Sequence, residues 1–188
     1  MRVVVIPEDF RKDQYILKPL FQALFRHLGK PSTTVVVCID PLLQGVTEAM
    51  KPDRLEEVFD RHAGMADLFI LCVDRDGDPG RRARLAGLER RFGQGRVFLA
   101  ENAWEELETW VLAGLTLPKE WAWKDVRSAV DVKERYFDRL VRDRKLAQTA
   151  DGGRRALGKE AAGSIPAICR KCPDDFGHLA DRLWEHCR

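Results

Sequence analysis

The first 117 residues alternate short apolar runs with segments of helical periodicity, and this alternation constrains the fold more than any other feature of the chain. The pattern predicts strands over residues 2–6, 34–39, 68–73 and 96–100, and helices over residues 13–27, 52–62, 80–92 and 104–115. Strands separated by helices of this length form parallel sheets, because a parallel connection needs a long crossover. The sequence therefore predicts an α/β fold with a mostly parallel sheet of about four strands flanked by helices.

The strand pattern stops at Leu117-Pro118. Five later segments have clear local signals: helical periodicity over residues 121–130, 132–146 and 175–184, and loop composition at Gly152-Gly153 and over residues 163–166. We predict two parts, an α/β domain over residues 1–117 and a helical C-terminal extension over residues 118–188 that packs on it.

Composition excludes a disordered or polycationic chain. Of 188 residues, 45% are hydrophobic and 33% are charged, and 32 Lys and Arg nearly balance 30 Asp and Glu. No apolar stretch approaches the length of about 18 residues that a membrane span requires, and no signal-peptide pattern is present. We expect a cytoplasmic protein with no membrane contact.

Five cysteines are present, an odd number. Cys38 and Cys72 lie within apolar strand runs, where a cysteine behaves as a small buried hydrophobic residue. Free thiols in a reducing compartment are therefore expected rather than a disulfide framework.

Acidic residues follow the first and third predicted strands. Glu8 comes after the first, and Asp74 and Asp76 come at the end of the third. The carboxyl ends of parallel strands meet at one edge of the sheet, where ligands bind. Mg²⁺ and Mn²⁺ prefer oxygen ligands and usually take one or two protein carboxylates each. The sequence therefore predicts a divalent-cation site at this edge. If the third strand continues through Asp76, the side chains of Asp74 and Asp76 project to the same side of the sheet.

Other uses of this acidic stretch are distinguishable. An EF-hand loop beginning at Asp74 fails, because its sixth residue would be Pro79 and its twelfth Leu85. Asp78 precedes Pro79 and is predicted to cap the next helix. A phosphatase of the haloacid-dehalogenase type, which also uses Asp-x-Asp after a strand, stays open as an alternative.

Glu108 is the second unusual acidic residue. On a helix from Trp104, it falls inside an apolar face, where a carboxylate is costly unless a metal, a cation or hydrogen bonds compensate it. Glu105 lies at the margin of that face and is placed to address the same site, whereas Glu106 is predicted to face solvent. A buried structural Glu108 paired with an arginine is the alternative to a metal or active-site role.

Two further motifs are incomplete. Residues 153–160 nearly match a phosphate-binding G-x-x-x-x-G-K-[ST] loop, but Glu160 replaces the hydroxyl residue and no strand precedes it, so only Lys159 is retained as a candidate phosphate contact. The C-terminal segment holds enough thiol and imidazole groups for a zinc site, but without a second paired knuckle no zinc ligands are assigned. These groups are Cys169, Cys172, His178, His186 and Cys187.

The combination resembles a TOPRIM domain of TOPRIM/Rossmann-like fold, and in particular the small bacterial proteins of the DUF4276 family. The resemblance is carried by Glu8, by Asp74-x-Asp76, by the segment over residues 100–113 and by Cys172 followed by Phe176, which has one residue more than the family spacing. One departure is that Asp9 follows Glu8 where TOPRIM domains usually have Gly.

Resemblance to TOPRIM nucleases, including OLD-type nucleases, implies Mg²⁺- or Mn²⁺-dependent cleavage of nucleic acid, with DNA favoured over RNA. It also implies anti-phage defence beside an ATPase partner. By the same resemblance, Glu8, Asp74 and Asp76 would hold a first metal and Glu105 or Glu108 would contribute to a second, with Glu8, Asp74, Asp76 and Glu108 as the catalytic set. Two such ions would activate water and stabilise the leaving oxygen.

Three readings of function stay open at this point. The first is the nuclease. The second is a non-catalytic regulatory or effector subunit that uses the TOPRIM fold to dock a partner. The third is a phosphoryl-transfer enzyme acting on a small nucleotide. Assembly into a homo-oligomer is compatible with all three.

Overall fold

The computed structural model describes residues 1–187 and contains one four-stranded sheet. Its strands are β1 (Arg2–Pro7), β2 (Thr34–Val37), β3 (Leu68–Asp74) and β4 (Phe98–Ala103). They lie in the order β2-β1-β3-β4, and every pairing is parallel. The predicted α/β class with a parallel sheet of about four strands is confirmed.

Ten α-helices occur within the described residues: α1 (Phe10–His27), α2 (Val46–Ala49), α3 (Pro52–Arg61), α4 (Arg81–Phe92), α5 (Glu108–Gly114), α6 (Trp123–Ser128), α7 (Asp138–Asp143), α8 (Arg154–Ala161), α9 (Ile165–Lys171) and α10 (His178–Cys187). Short π-helical segments, Lys133–Phe137 and Pro173–Gly177, precede α7 and α10, and the 3₁₀ turn Ala162–Ser164 joins α8 to α9. Within residues 1–187, no helix is both long and apolar enough to cross a membrane.

The sheet separates two apolar cores because its central strands are buried on both faces. Alternate residues of β1 belong to different cores, with Val3 and Val5 on one side and Val4 and Ile6 on the other. The first core includes α1 and the C-terminal helices, and the second includes α3 and α4. This two-sided burial explains why the strands are continuous apolar runs in the sequence.

The strand order reverses between β1 and β3, which are neighbours in the sheet although β2 lies between them in the chain. Connections therefore diverge from the carboxyl ends of β1 and β3 and leave a crevice, which is where open α/β sheets bind ligands. Pro7 at the end of β1 pairs with Cys72 near the end of β3. The fold thus brings Glu8 and Asp74 to the two sides of this crevice.

Helix α8 is held by two contacts that only small residues permit. A Cβ atom at Gly158 would lie 2.6 Å from the Tyr15 carbonyl oxygen of α1, and one at Gly114 of α5 would lie 2.7 Å from the Ala161 carbonyl oxygen. Pro19 in α1 has no N–H group to donate to that Tyr15 carbonyl. The close approach fixes α8 between α1 and α5.

Two sequence expectations fail in the second half. Residues 163–166 are not a loop, because α9 begins at Ile165 and Pro166 sits in its first turn, where proline needs no hydrogen bond. The predicted helix over residues 104–115 begins only at Glu108, because β4 extends to Ala103 and Glu105 adopts a left-handed backbone conformation with φ of 65°. The Gly152-Gly153 turn is confirmed, and both glycines have positive φ.

Candidate metal centre

Three carboxylates converge at the carboxyl edge of the sheet. Asp74 ends β3, Glu106 lies in the turn before α5, and Glu108 is the first residue of α5. One oxygen from each lies within 4.8 Å of the others. Hard divalent cations bind to such sets of oxygens, so we name Asp74, Glu106 and Glu108 the acidic cluster.

Backbone hydrogen bonds fix the position of Asp74. Its Oδ1 atom accepts the Leu107 N–H at 2.8 Å, which ties the end of β3 to the turn before α5. The Asp74 N–H in turn donates to Oε2 of Glu8 at 3.1 Å. Because Glu8 follows β1 directly, these two hydrogen bonds connect the β1 side of the crevice to the turn before α5 through Asp74.

Burial, and secondarily the negative charge of neighbouring carboxylates, raises the pKa values of Asp74, of Glu106 and of Glu8, which lies beside the acidic cluster. Burial raises the pKa of Asp74 well above its usual range, and the negative charges of Glu8 and Glu108 raise it further. Burial likewise raises the pKa of Glu8, although the Asp74 N–H opposes the shift. The pKa of Glu106 rises to about 7, mainly through burial. Burial without full compensation by protein cations therefore disfavours the charged forms of these carboxylates.

Asp13 is a further nearby carboxylate that is not predicted as a site residue from the sequence. Burial raises its pKa to about 8, with further contributions from Glu8 and Glu108, while its bond from the Asp9 N–H opposes the shift. The signal was present in the sequence, since Ile16 and Leu17 lie three and four residues later on the buried face of α1. The helical phase therefore directs Asp13 inward.

One buried cation partly compensates the cluster. Arg154, the first residue of α8, forms an ion pair with Oε1 of Glu108 at 2.5 Å. Burial works against the charge of Lys133, but Glu108 and other carboxylates outweigh it and raise its pKa. The alternative predicted for Glu108, pairing with an arginine, is therefore present. Arg154 does not balance the remaining acids, so the donor set fits a bound Mg²⁺ or Mn²⁺ ion.

Asp76 and Glu105 lie outside the acidic cluster. The strand ends at Asp74, so the condition for Asp74 and Asp76 to project together is not met; Asp76 has a φ of 52° and a half-exposed side chain 3.7 Å from Arg81. Glu105 is ion-paired with Arg75, and its Oε2 accepts the Gly77 N–H at 2.6 Å. The structure thus uses Glu105 to close the loop after β3.

The prediction that Glu106 faces solvent is wrong. It rested on a helix from Trp104, and because the helix begins at Glu108, residues before it do not follow the helical phase. Glu106 instead turns toward Asp74 and accepts the Lys133 N–H at 2.7 Å.

The predicted capping position of Asp78 is also wrong by two residues. Helix α4 begins at Arg81 with Gly80 as its N-cap residue. The Asp78 carboxylate instead accepts the Gly80 N–H at 2.9 Å and is ion-paired with Arg84. Asp78 therefore stabilises the turn that leads into α4.

The other sequence motifs lie away from the acidic cluster. Within residues 1–187, no other group of three His, Cys, Asp or Glu side chains has metal-binding geometry. His178, one of the C-terminal imidazole groups, is instead hydrogen-bonded to the Glu101 carboxylate at 2.8 Å. Residues 154–161 form α8 rather than a phosphate loop. Lys159 is exposed on α8 and lines a pocket of about 310 Å³ together with Tyr15, Lys18 and Arg155.

No protein-family model matches this sequence, and no curated protein matches it. Among solved structures, the C-terminal region of the OLD protein of Xanthomonas campestris pv. campestris aligns with a TM-score of 0.35 and 15% sequence identity. The alignment covers 100% of this chain and 98% of that one. A likeness at this level carries no argument about function.

Proposed function

We propose that this protein is a metal-dependent phosphodiester hydrolase that cuts nucleic acid, with Mg²⁺ or Mn²⁺ held at the acidic cluster. One observation carries the proposal: Asp74, Glu106 and Glu108 present oxygens within 4.8 Å of one another at the crevice between β1 and β3. A divalent ion bound there would supply Lewis-acid activation of water and neutralise charge developing on a phosphate.

The residues around the cluster have separable roles in this proposal. Asp74, Glu106 and Glu108 bind the ion. Glu8 holds the Asp74 backbone in place through its 3.1 Å hydrogen bond and remains a candidate ligand itself. Arg154 orients Glu108 by its ion pair, as supporting residues orient metal-ligating carboxylates. Asp76 and Glu105 are placed to shape the loop rather than to bind the first ion.

The pocket that contains Lys159 supports binding of a nucleic-acid strand. Lys18, Arg155 and Lys159 contribute positive charge, and Tyr15 offers an aromatic ring with the Arg155 guanidinium 4.8 Å from its centroid. The pocket lies away from the acidic cluster, and we propose that it binds backbone phosphates of a strand that extends beyond the metal site.

Finer assignments extend this proposal. The resemblance to TOPRIM nucleases supports DNA rather than RNA as substrate, a role in anti-phage defence and an ATPase partner. Assembly into a homo-oligomer and a cytoplasmic location belong to the same proposal.

A cleavage assay tests the function. Purified protein is incubated with Mn²⁺ or Mg²⁺ and with single-stranded DNA, duplex DNA or RNA, and products are resolved on denaturing gels. We expect Asp74→Asn and Glu106→Gln each to reduce the cleavage rate by about 100-fold or more, because each removes a charged metal ligand. The matched control is Glu134→Gln, an exposed glutamate that should cut at the wild-type rate. Equal cleavage by wild type and Asp74→Asn would contradict the proposal.

A second candidate function is a non-catalytic subunit that docks a partner protein. The Arg154–Glu108 ion pair favours it, because a protein cation already occupies part of the acidic site. Inactivity on all three substrates with Mn²⁺, together with stoichiometric co-purification of a partner, would establish this function instead.

A further inference from the structure

One face of α1 carries a row of cationic and polar side chains, which we name the α1 stripe: Arg11, Tyr15, Lys18, Gln22 and Arg26. Their spacing of three or four residues places all of them within a sector of about 80° around the helix axis. Tyr15 is half-buried and the others are exposed. The opposite face of α1 packs into the first apolar core, so the α1 stripe points away from that core.

Within residues 1–187, the cations of the α1 stripe have no anionic partner. Neither an ion pair nor a side-chain hydrogen bond is formed by Arg11, Lys18 or Arg26 in this part of the chain. On α3, by contrast, the exposed Arg61 is paired with Glu57 at 2.6 Å. Unpaired charges of one sign on one surface attract a polyanion, whereas paired charges largely cancel.

Helix α8 adds two cations beside the α1 stripe. Arg155 and Lys159 line the pocket of about 310 Å³ together with Tyr15 and Lys18. Lys159 is likewise unpaired among the described residues, and Arg155 lies 3.5 Å from Asp151. Cations from two helices therefore surround one groove, which is the arrangement of a surface that binds a phosphate backbone.

Tyr15 gives this surface a feature that electrostatic attraction alone does not require. Its ring lies among the cations, and the Arg155 guanidinium lies over the ring at 4.8 Å from the centroid. Nucleic-acid bases stack on aromatic rings and on guanidinium planes, but only when the bases are unpaired and free of their own stack. The combination of Tyr15 with the surrounding cations therefore favours a single strand over a duplex.

The α1 stripe begins at the edge of the sheet that carries the acidic cluster and extends away from it. Helix α1 starts three residues after β1 ends, and Asp13 in its first turn is close enough to Glu8 and Glu108 for their charges to raise its pKa. From Arg11 to Arg26 the helix axis rises by about 22 Å, which equals the length of about six nucleotides of a stacked strand.

We propose that the α1 stripe, with Arg155 and Lys159, binds a single-stranded nucleic acid along a length of about six nucleotides. The backbone phosphates contact the cations, and an unpaired base contacts Tyr15. The identification of the ligand as nucleic acid rests on the proposed function, and the inference adds the substrate class: the strand that reaches the acidic cluster is unpaired.

Binding is measured in EDTA by fluorescence anisotropy with a labelled oligothymidine of about twelve nucleotides, so that neither a metal nor cleavage affects the outcome. The competitors are a duplex of the same length, an oligothymidine of about three nucleotides and a polyphosphate of equal charge. We expect each competitor to bind at least about tenfold more weakly than the long single strand, because it lacks unpaired bases, length or bases altogether. Equal affinity for the duplex or for the polyphosphate overturns the inference.

The salt dependence of binding tests the cations of the α1 stripe directly. Each phosphate contact with a single strand contributes about −0.7 to the slope of log K against log salt concentration. The double variant Lys18→Ala, Arg26→Ala should therefore reduce the magnitude of the slope by about 1.4. Tyr15→Leu should weaken binding at least about fivefold and leave the slope unchanged, because it removes a stacking contact and no charge.

The matched control is Arg90→Ala, which removes an exposed cation from α4 in the second core, on the other side of the sheet. We expect wild-type affinity and slope for this variant. A wild-type slope in the double variant, or an equal loss of slope in Arg90→Ala, contradicts the inference. Cleavage with Mn²⁺ that persists alongside either result leaves the proposed function intact, whereas single-strand binding without cleavage contradicts the proposed function alone.

Discussion

Asp74 determines much of the local geometry at the residue scale. Its carboxylate accepts the Leu107 N–H, its own N–H donates to Glu8, and it forms part of the acidic cluster. The surrounding carboxylates share one difficulty, which is that burial and mutual repulsion disfavour their charged forms. A metal-free protein should therefore be destabilised by its own site when these groups ionise.

Asp13 allows this to be tested through pH. Its pKa is raised from 3.8 to about 8, so its stabilising contribution is fully present below pH 3.8 and is lost as the pH rises through 8. Asp13→Asn cannot ionise and retains an oxygen that can accept the Asp9 N–H. We expect the variant to gain on the order of 5 kcal/mol over wild type between pH 4 and pH 8, measured by urea unfolding in EDTA. Exposed Asp60→Asn is the control; parallel stability curves for Asp13→Asn and wild type would contradict the expectation.

At the residue scale, some residues of the site follow from local sequence pattern, whereas others depend on contacts between residues that are distant in the chain. Glu8, Asp74 and Glu108 are predicted from local pattern, as acids at strand ends or on an apolar face, and their function in the site stays a prediction. Glu106 is not predicted, because the left-handed backbone conformation of Glu105 breaks the helical phase. That conformation accompanies hydrogen bonds from the Arg75 and Asp76 N–H groups, in the loop after β3, to the Glu105 carbonyl oxygen. Arg154 was missed because its partner Glu108 is 46 residues away.

At the scale of elements, the strands and first helices were predictable because burial imposes periods of two and 3.6 residues. Helices α8 and α9 were not assigned, since Gly158, Gly163 and Pro166 lower the helical signal. The structure shows why Gly158 occurs there: α8 approaches α1 too closely for a side chain. Tertiary contact overrides local propensity in this part of the chain.

Gly158→Ala tests this close approach. The added Cβ atom would lie 2.6 Å from the Tyr15 carbonyl oxygen, so α8 must move and Arg154 with it. We expect a loss of about 1 to 3 kcal/mol in the free energy of unfolding, as for overpacked cores. The matched control is Gly163→Ala, where a Cβ atom meets nothing within 4 Å and stability should hold or rise. Equal stability of the two variants in urea would show that the α1–α8 contact is not tight.

At the scale of the whole molecule, the C-terminal helices and the sheet share one apolar core, and Arg154 reaches from α8 to the acidic cluster. Asp175 also connects the C-terminal segment to the residues after β4, because its carboxylate accepts the Trp104 N–H and forms an ion pair with Arg127. The division at residue 117 stays a prediction, but the site draws on both sides of it. Completing the site therefore depends on the entire chain having folded.

The most direct measurement is an anomalous difference map from crystals of the protein soaked in Mn²⁺. We expect a peak among Asp74, Glu106 and Glu108, within about 2.0 to 2.3 Å of their oxygens. The same soak of Asp74→Asn should lose the peak while the fold is retained. A peak at Asp76 and Asp78 instead, or none at saturating Mn²⁺, would contradict the assignment of the acidic cluster as the metal site.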